Sequence, residues 1–156
     1  MTQSSDKHKP SLKANFPGNV QLISTTRYFN GAGKACSDKT GYTDFNLATH
    51  VGDNPQTVVR NRAQLIQRFN LPAEPKYLEQ VHSNICLDAS SAECVGDAVI
   101  TKEKGVVCAV LTADCLPIFI SNHSGTQVAV AHAGWKGVLN GIIEATIAKF
   151  NQQDLL

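Results

Sequence analysis

The stretch GVVCAVLTADCLPIFISNHSGTQVAVAHAGWKG, residues 105–137, decides the fold. Two apolar runs, Leu116–Ser121 and Thr126–Ala131, flank the polar residues Asn122–Gly125, and this pattern predicts a β-hairpin with a turn between its strands. A third apolar run, Val106–Leu111, is continuous rather than alternating, so it predicts a strand that is covered on both faces. We therefore expect a sheet at the centre of the molecule, built around this hairpin.

The rest of the chain mixes helix and strand patterns. Asn54 followed by Pro55 is typical of a helix start, and the apolar residues that follow recur at helical spacing up to Leu71-Pro72. A second helix is predicted over residues 138–150, after a loop over residues 132–137. Short strands are predicted at 20–25, 77–82, 84–88 and 97–101. Together these elements predict an α+β protein, a layered α/β sandwich with mixed, largely antiparallel sheets and a few helices.

Length, charge and composition argue against several classes of protein. A length of 156 residues favours one domain; we expect a polar lead-in over residues 1–15 and a single catalytic domain over 16–156. The net charge is only +1, which argues against non-specific nucleic-acid binding, and no apolar run is long enough to span a membrane. Five cysteines without regular spacing indicate a reducing compartment, so we expect a cytoplasmic protein.

The predicted hairpin brings chemistry-bearing side chains together. If Ser121 faces Thr126, then Cys115 faces His132, and directly opposed residues have Cβ atoms about 4.5–5.5 Å apart. That spacing suits two ligands of one metal ion, or a thiol and its base. His82 ends the segment 77–82 and is the natural third member. One thiolate, two imidazoles and an open fourth position form the pattern of a catalytic zinc site.

Other candidate residues are assigned by their surroundings. Asp114 adjoins Cys115 and is a candidate to orient a metal ligand or to accept a proton. Cys108 lies in an apolar run and is expected in the core. The remaining cysteines and histidines lack ligand-type spacing, and we interpret them as structural or peripheral: Cys36, Cys86, Cys94, His8, His50 and His123.

Several motifs together resemble the laccase-domain family of purine nucleoside phosphorylases, whose members were long labelled multicopper polyphenol oxidases. The most specific are EQVHS at 79–83, VCAVLTADCLPIFI at 107–120 and VAVAHAGWKG at 128–137. The resemblance runs in order from Thr25 to about Phe150. It also includes TTR at 25–27, FNLATHVGDNP at 45–55, VVRNR at 58–62 and GDAVIT at 96–101.

This resemblance implies a metal centre and a reaction. In the family the metal, usually zinc, is held by the His of QVH, the Cys of TADC and the His of HAGW, which are His82, Cys115 and His132 here. The implied reactions are phosphorolysis of adenosine, inosine and methylthioadenosine, and deamination of adenosine. The implied partners are a purine nucleoside and phosphate, and the implied fold is similar to that of a group of cysteine hydrolases.

Basic residues are expected to offset the charge of phosphate, and the candidates are Arg27, Arg62 and Lys136. Lys136 stands where the family usually has arginine, and lysine lacks the bidentate fork of a guanidinium. We expect Trp135 to pack against the protein. The chain departs from the family at residues 28–34, which replace a glycine pair and a serine, and the family sequences extend further.

Three alternatives remain open. A cysteine hydrolase acting on a peptidoglycan precursor would use Cys115 as nucleophile and His132 as base, without needing His82. A copper-dependent polyphenol oxidase would place Cu²⁺ in the same site, although such enzymes need many imidazoles and this chain has five histidines. An inactive, shortened relative would retain the metal site or an interaction surface without catalysis.

Overall fold

The computed structural model describes residues 16–27, 42 and 45–151. Contacts divide this part of the chain into one unit with residues 21–27, 42 and 45–65, and a second unit with residues 16–20 and 66–151. No helix in the described ranges is both long and apolar enough to cross a membrane. The predicted lead-in over residues 1–15, the departure at 28–34 and the two residues Cys36 and His8 lie outside the described residues.

Helix α1, Pro55–Phe69, begins where the sequence predicts. The side-chain oxygen of Asn54 accepts hydrogen bonds from the backbone N–H of Gln56 and Thr57 at 2.9 and 3.4 Å, which satisfies donors that the first turn leaves unpaired. The helix ends at Asn70, whose φ of 49° is the left-handed conformation that commonly terminates helices.

A four-stranded sheet forms the second unit. Its strands are β1 (Cys86–Asp88), β2 (Ala98–Thr101), β3 (Leu116–Ser121) and β4 (Val128–Ala133), in the order β1-β2-β4-β3. The β1–β2 pair is parallel, whereas β2–β4 and β4–β3 are antiparallel. Two short helices follow, α2 (Trp135–Leu139) and α3 (Ile142–Ile147). This architecture confirms the predicted α+β class with a mixed, largely antiparallel sheet.

Both faces of the central strands are buried, because their residues alternate between two apolar clusters. One cluster packs the sheet against α3 and the residues after it: Cys86, Ala98, Ile100, Ala129, Ala131, Ile142 and Phe150. The other covers the opposite face with Leu78, Leu87, Val99 and Val130, and the half-buried Cys108, Val110 and Phe119 pack against it. The sheet is therefore a middle layer between helices and irregular chain.

The hairpin register differs from the prediction by two residues. Ser121 pairs with Val128, not with Thr126. The cause is the buried side chain of Asn122, whose Oδ1 accepts the backbone N–H groups of Thr126 and Gln127 at 2.9 and 3.0 Å. A side-chain acceptor that binds two backbone donors holds a wider loop than the four-residue turn that the sequence indicates.

Three predicted strands are wrong: residues 20–25, 77–82 and 106–111 form no regular strand. An isolated bridge from Lys76 to Cys108 and the side chain of Gln80 connect the last two segments instead. The Gln80 amide donates from Nε2 to the Leu111 carbonyl at 2.8 Å and accepts the Leu111 N–H through Oε1 at 2.7 Å. Because a side chain supplies these hydrogen bonds, the backbone ladder of a strand does not develop.

The region after the hairpin also differs from the prediction. His132 and Ala133 continue β4, and α2 begins at Trp135, so residues 132–137 are not a simple loop. The predicted helix over 138–150 is interrupted at Gly141, which has a φ of 85°. A left-handed residue cannot continue an α-helix, so the chain forms two short helices in place of one.

Candidate metal centre

Three side chains converge at one end of the sheet. The ligand atoms of His82, Cys115 and His132 all lie within 4.8 Å of one another, and the Cys115 Sγ lies 3.9 Å from the His82 Nε2. Ligands of tetrahedral zinc lie about 3.3–3.6 Å apart, as follows from metal–ligand distances of about 2.0–2.3 Å. Among the described residues this is the one such group of His, Cys, Asp and Glu.

Strand register places Cys115 opposite a glycine. Leu116 pairs with Ala133, so Cys115, one residue earlier, lies across from Gly134 and diagonally from His132. A Cβ built on Gly134 would lie 2.6 Å from the His82 Cδ2 and 3.0 Å from the Cys115 Sγ. Because the observed register differs from the predicted one by two residues, Cys115 and His132 remain on the same face of the hairpin, and their side chains still meet. Because Gly134 has no side chain, the Cys115 thiol and the His82 imidazole have space to approach each other.

His82 lies on a sharply turned segment held by the carboxylate of Asp97. Oδ2 accepts the N–H groups of Val81 and Ser83 at 3.2 and 2.6 Å, and Oδ1 accepts the His82 N–H at 3.0 Å. The Ser83 hydroxyl donates to Oδ2 at 2.7 Å. His82 has a φ of 60°, a left-handed conformation that is uncommon for any residue except glycine. The exposed imidazole of His82 is thus presented by a constrained backbone.

His132 contacts the same carboxylate from the neighbouring strand. The backbone N–H of His132 donates to the carbonyl of Asp97 at 2.7 Å, which makes the two residues a directly opposed pair. Their side chains also meet, with Nδ1 2.8 Å from Oδ1, and both residues are buried. Burial raises the pKa of Asp97, but hydrogen bonds from His132, Ser83 and His82 outweigh it and hold that pKa below its ordinary value. The carboxylate is therefore charged and accepts a hydrogen bond from the Nδ1–H of His132.

The surroundings of the Cys115 thiol favour its neutral form. Desolvation, followed by the negative charge and hydrogen bonding of Asp114, raises the pKa of the Cys115 thiol. The exposed Asp114 places Oδ1 3.9 Å from Sγ. A nearby anion favours the neutral thiol, whereas a bound cation favours the thiolate. The electrostatics of the site therefore suit a metal ligand better than a free nucleophile.

The predicted phosphate-binding residues fall in two places. Lys136 is exposed on α2, two residues after Gly134, and its Nζ lies 5.5 Å from the ring centroid of Trp135. Trp135 is 69% exposed, so the expectation that it packs against the protein is wrong. Arg27 and Arg62 belong to the other unit, where the Arg62 Nε donates to the Leu47 carbonyl at 3.0 Å.

The other described cysteines do not join the trio. Cys108 is half-buried against an apolar cluster rather than inside a strand, and desolvation raises its pKa to about 12. Cys86 is buried on β1 and Cys94 is exposed. His50 and His123 are also exposed. These placements agree with structural or peripheral roles.

Sequence reasoning missed two residues of the site, Asp97 and Gly134. Both stand in quoted motifs, GDAVIT and HAGWKG, but neither has a side chain that by itself indicates a role. The position of Asp97 follows from the pairing of β2 with β4, which are separated by about thirty residues. A prediction that β2 pairs with β4 would have placed Asp97 beside His132.

A family model described as multi-copper polyphenol oxidoreductase laccase matches residues 25–155. Curated relatives include a purine nucleoside phosphorylase of Haemophilus influenzae, 42% identical over 138 residues, which covers 87% of this chain and 54% of the relative. A purine nucleoside phosphorylase of Escherichia coli is 44% identical over 120 residues and covers 74% and 49%. The chain spans about half the length of the curated relatives it matches.

Solved structures show the same similarity. A Neisseria meningitidis protein of the DUF152 family matches with a TM-score of 0.61 and 38% identity, over 83% of this chain and 48% of that chain. YlmD from Geobacillus stearothermophilus matches with a TM-score of 0.63 and 30% identity, over 71% and 46%. The fold described above is therefore shared with experimentally determined structures.

Proposed function

Because this chain belongs to the multi-copper polyphenol oxidoreductase laccase family, we propose that it is a zinc-dependent purine nucleoside phosphorylase. Its proposed substrates are adenosine, inosine and methylthioadenosine with phosphate, and its proposed second activity is the deamination of adenosine. The names of the relatives support the phosphorylase reaction. The observation that carries the proposal is the convergence of two imidazoles and one thiol on one point.

The donor set fits zinc. His82, Cys115 and His132 would hold the ion, since nitrogen and sulfur ligands suit it and three protein ligands leave one coordination position open. The space beside Gly134 supports this assignment, because a Cβ there would push apart His82 and Cys115. Bound zinc supplies a Lewis acid at the open position for a phosphate or water oxygen. Copper is the alternative ion for the same ligands.

In phosphorolysis an oxygen of hydrogen phosphate bonds to the ribose C1′ while the bond from C1′ to the purine nitrogen breaks. The base leaves as its N–H form, which gains the proton that the phosphate loses. Binding of phosphate requires positive side chains that offset its negative charge. We assign this role to Lys136, with Arg27 and Arg62 as further candidates. Lys136 is exposed two residues from Gly134. Asp114, exposed beside Cys115, is our candidate to accept a proton.

Lys136→Met is expected to raise the KM for phosphate about tenfold, because it removes one positive charge, a loss of about 1.4 kcal/mol of binding. The KM for the nucleoside should change less. Steady-state assays at varied phosphate measure this, with Lys136→Arg expected to retain phosphate affinity. Lys104→Met, which removes another exposed lysine of the same unit, is the control. An unchanged phosphate KM in Lys136→Met would contradict the assignment.

A cysteine hydrolase is the second candidate, and one observation favours it. The Asp97 carboxylate, the His132 ring and the Cys115 thiol form a series in which the acid orients the imidazole and the imidazole neighbours the nucleophile. The proposed substrate is a peptidoglycan precursor. The raised pKa of Cys115 weighs against this candidate, because the thiolate is the nucleophilic form.

The decisive experiment is an assay of the purified chain, with its metal content measured by elemental analysis. Incubation with adenosine and phosphate should release adenine and ribose 1-phosphate, and incubation with adenosine alone should release inosine. Chelator treatment should remove both activities, and Zn²⁺ or Cu²⁺ added back separately should show which ion restores them. No turnover of any of the three nucleosides by zinc-loaded protein would overturn the proposal and favour an inactive relative.

A further inference from the structure

The buried carboxylate of Asp97 accepts hydrogen bonds from the backbone of His82 and from the ring of His132, two members of the trio. Asp97 is fully buried, and its two oxygens receive hydrogen bonds from the segment before β1 on one side and from β4 on the other. Oδ1 is shared between the backbone N–H of His82 at 3.0 Å and the Nδ1 of His132 at 2.8 Å. A displacement of this single group would therefore act on two ligands at once.

The contact with His132 fixes which ring nitrogen carries the proton. Both oxygens of Asp97 accept backbone N–H groups, which cannot accept in return, so the carboxylate acts as an acceptor and the Nδ1 of His132 as the donor. In a neutral imidazole the proton is then absent from Nε2, whose lone pair is left free. The ring of His132 also lies edge-on to the ring of His82, with centroids 4.8 Å apart. A rotation of the His132 ring would therefore change its contact with His82.

The contact with residues 81–83 holds a backbone conformation that the sequence alone disfavours. Left-handed geometry at a non-glycine residue is unfavourable and persists only where surrounding contacts enforce it. Here three successive backbone N–H groups and the hydroxyl of Ser83 converge on Asp97. Without that acceptor the segment would relax, and the imidazole of His82 would leave its position beside Cys115.

We propose that Asp97 is a positioning residue that prepares both histidines for the metal, by fixing the tautomer of His132 and the backbone conformation of His82. The inference rests on the metal site of the proposed function, but not on the identity of the substrate. It concerns how the apoprotein is prepared, so it can be tested without any nucleoside.

Asp97→Asn is the sharpest variant, because asparagine keeps the shape but offers one acceptor oxygen and one NH₂ donor. The amide cannot accept from His132 and from residues 81–83 through both of its ends. The amide oxygen is expected at the end that accepts the N–H groups of Val81 and Ser83, so the NH₂ group faces His132. Nδ1 then becomes the acceptor and the proton moves to Nε2. We expect the Kd for Zn²⁺ to rise about 10- to 100-fold, the range typical of lost partners of metal-binding histidines.

The experiment measures Zn²⁺ affinity by competition with a chromophoric chelator, and the tautomer of His132 by ¹⁵N NMR of the metal-free protein. Wild-type protein should show the Nδ1–H tautomer, and Asp97→Asn should lose it. Ile100→Val, a small change in the buried core of β2, the strand that follows Asp97, controls for loss of stability. Ser83→Ala, which removes one donor to Asp97 and leaves the His132 contact, should keep the Nδ1–H tautomer.

Two results would overturn the inference. One is wild-type Zn²⁺ affinity and an unchanged His132 spectrum in Asp97→Asn. The other needs no variant and so remains decisive if Asp97→Asn fails to fold: an Nε2–H tautomer of His132 in the metal-free wild-type protein. Absence of phosphorolysis in every protein tested would count against the proposed function alone, because neither readout depends on turnover.

Discussion

His82→Ala is expected to abolish both zinc retention and phosphorolysis. Of the three candidate ligands, His82 is the one that a cysteine nucleophile with a histidine base does not need. Zinc binding of about 10–16 kcal/mol through four ligands corresponds to roughly 3 kcal/mol per ligand, so the loss of one imidazole should weaken affinity about 100-fold or more. Elemental analysis of protein purified without added metal, together with the adenosine and phosphate assay, measures both effects.

The matched control is His123→Ala, which removes another exposed imidazole from the same unit, in the β3–β4 hairpin loop. It should retain zinc and activity. The outcome that contradicts the metal centre is specific: His82→Ala without zinc but with full activity, in a protein that loses activity on Cys115→Ala. That combination would show that Cys115 acts as a nucleophile without the metal, with His132 as its base and Asp97 orienting His132.

The family and the fold class were accessible from the sequence because they depend on local patterns. QVH, TADC and HAGW are short motifs, and the match over residues 25–155 confirms the resemblance that they indicate. Helix α1 was accessible for the same reason, since Asn54 and Pro55 determine its start within a few residues.

The details of the site were less accessible because they depend on side chains that replace backbone hydrogen bonds. Asn122 widens the hairpin loop and shifts its register, and Gln80 takes the place of a strand ladder at Leu111. Neither effect changes the hydrophobic pattern from which strands are predicted. The trio nevertheless converges, because a shift by two residues leaves Cys115 on the same face as His132.

Gly134→Ala is expected to reduce zinc affinity about 100-fold while leaving the fold intact. The backbone of Gly134 is extended, with φ −72° and ψ 156°, so alanine adopts it without strain. The new Cβ would lie 2.6 Å from the His82 Cδ2 and 3.0 Å from the Cys115 Sγ, so both side chains must move. If this movement costs the binding of one ligand, the loss is roughly 3 kcal/mol, or about 100-fold in affinity. Zinc competition titration and thermal unfolding measure the two effects.

Gly18→Ala is the control, because a Cβ there meets nothing within 4 Å.

A double variant tests whether the loss of zinc affinity in Gly134→Ala arises from displacement of His82. If the methyl group acts by displacing His82, then adding Gly134→Ala to His82→Ala should cost less than it does in the wild-type protein, since residues in contact are not additive. Full additivity would show that the methyl group acts elsewhere. Wild-type zinc affinity in Gly134→Ala would mean that the ion does not lie where the glycine leaves room, and the trio would then lose its strongest steric support.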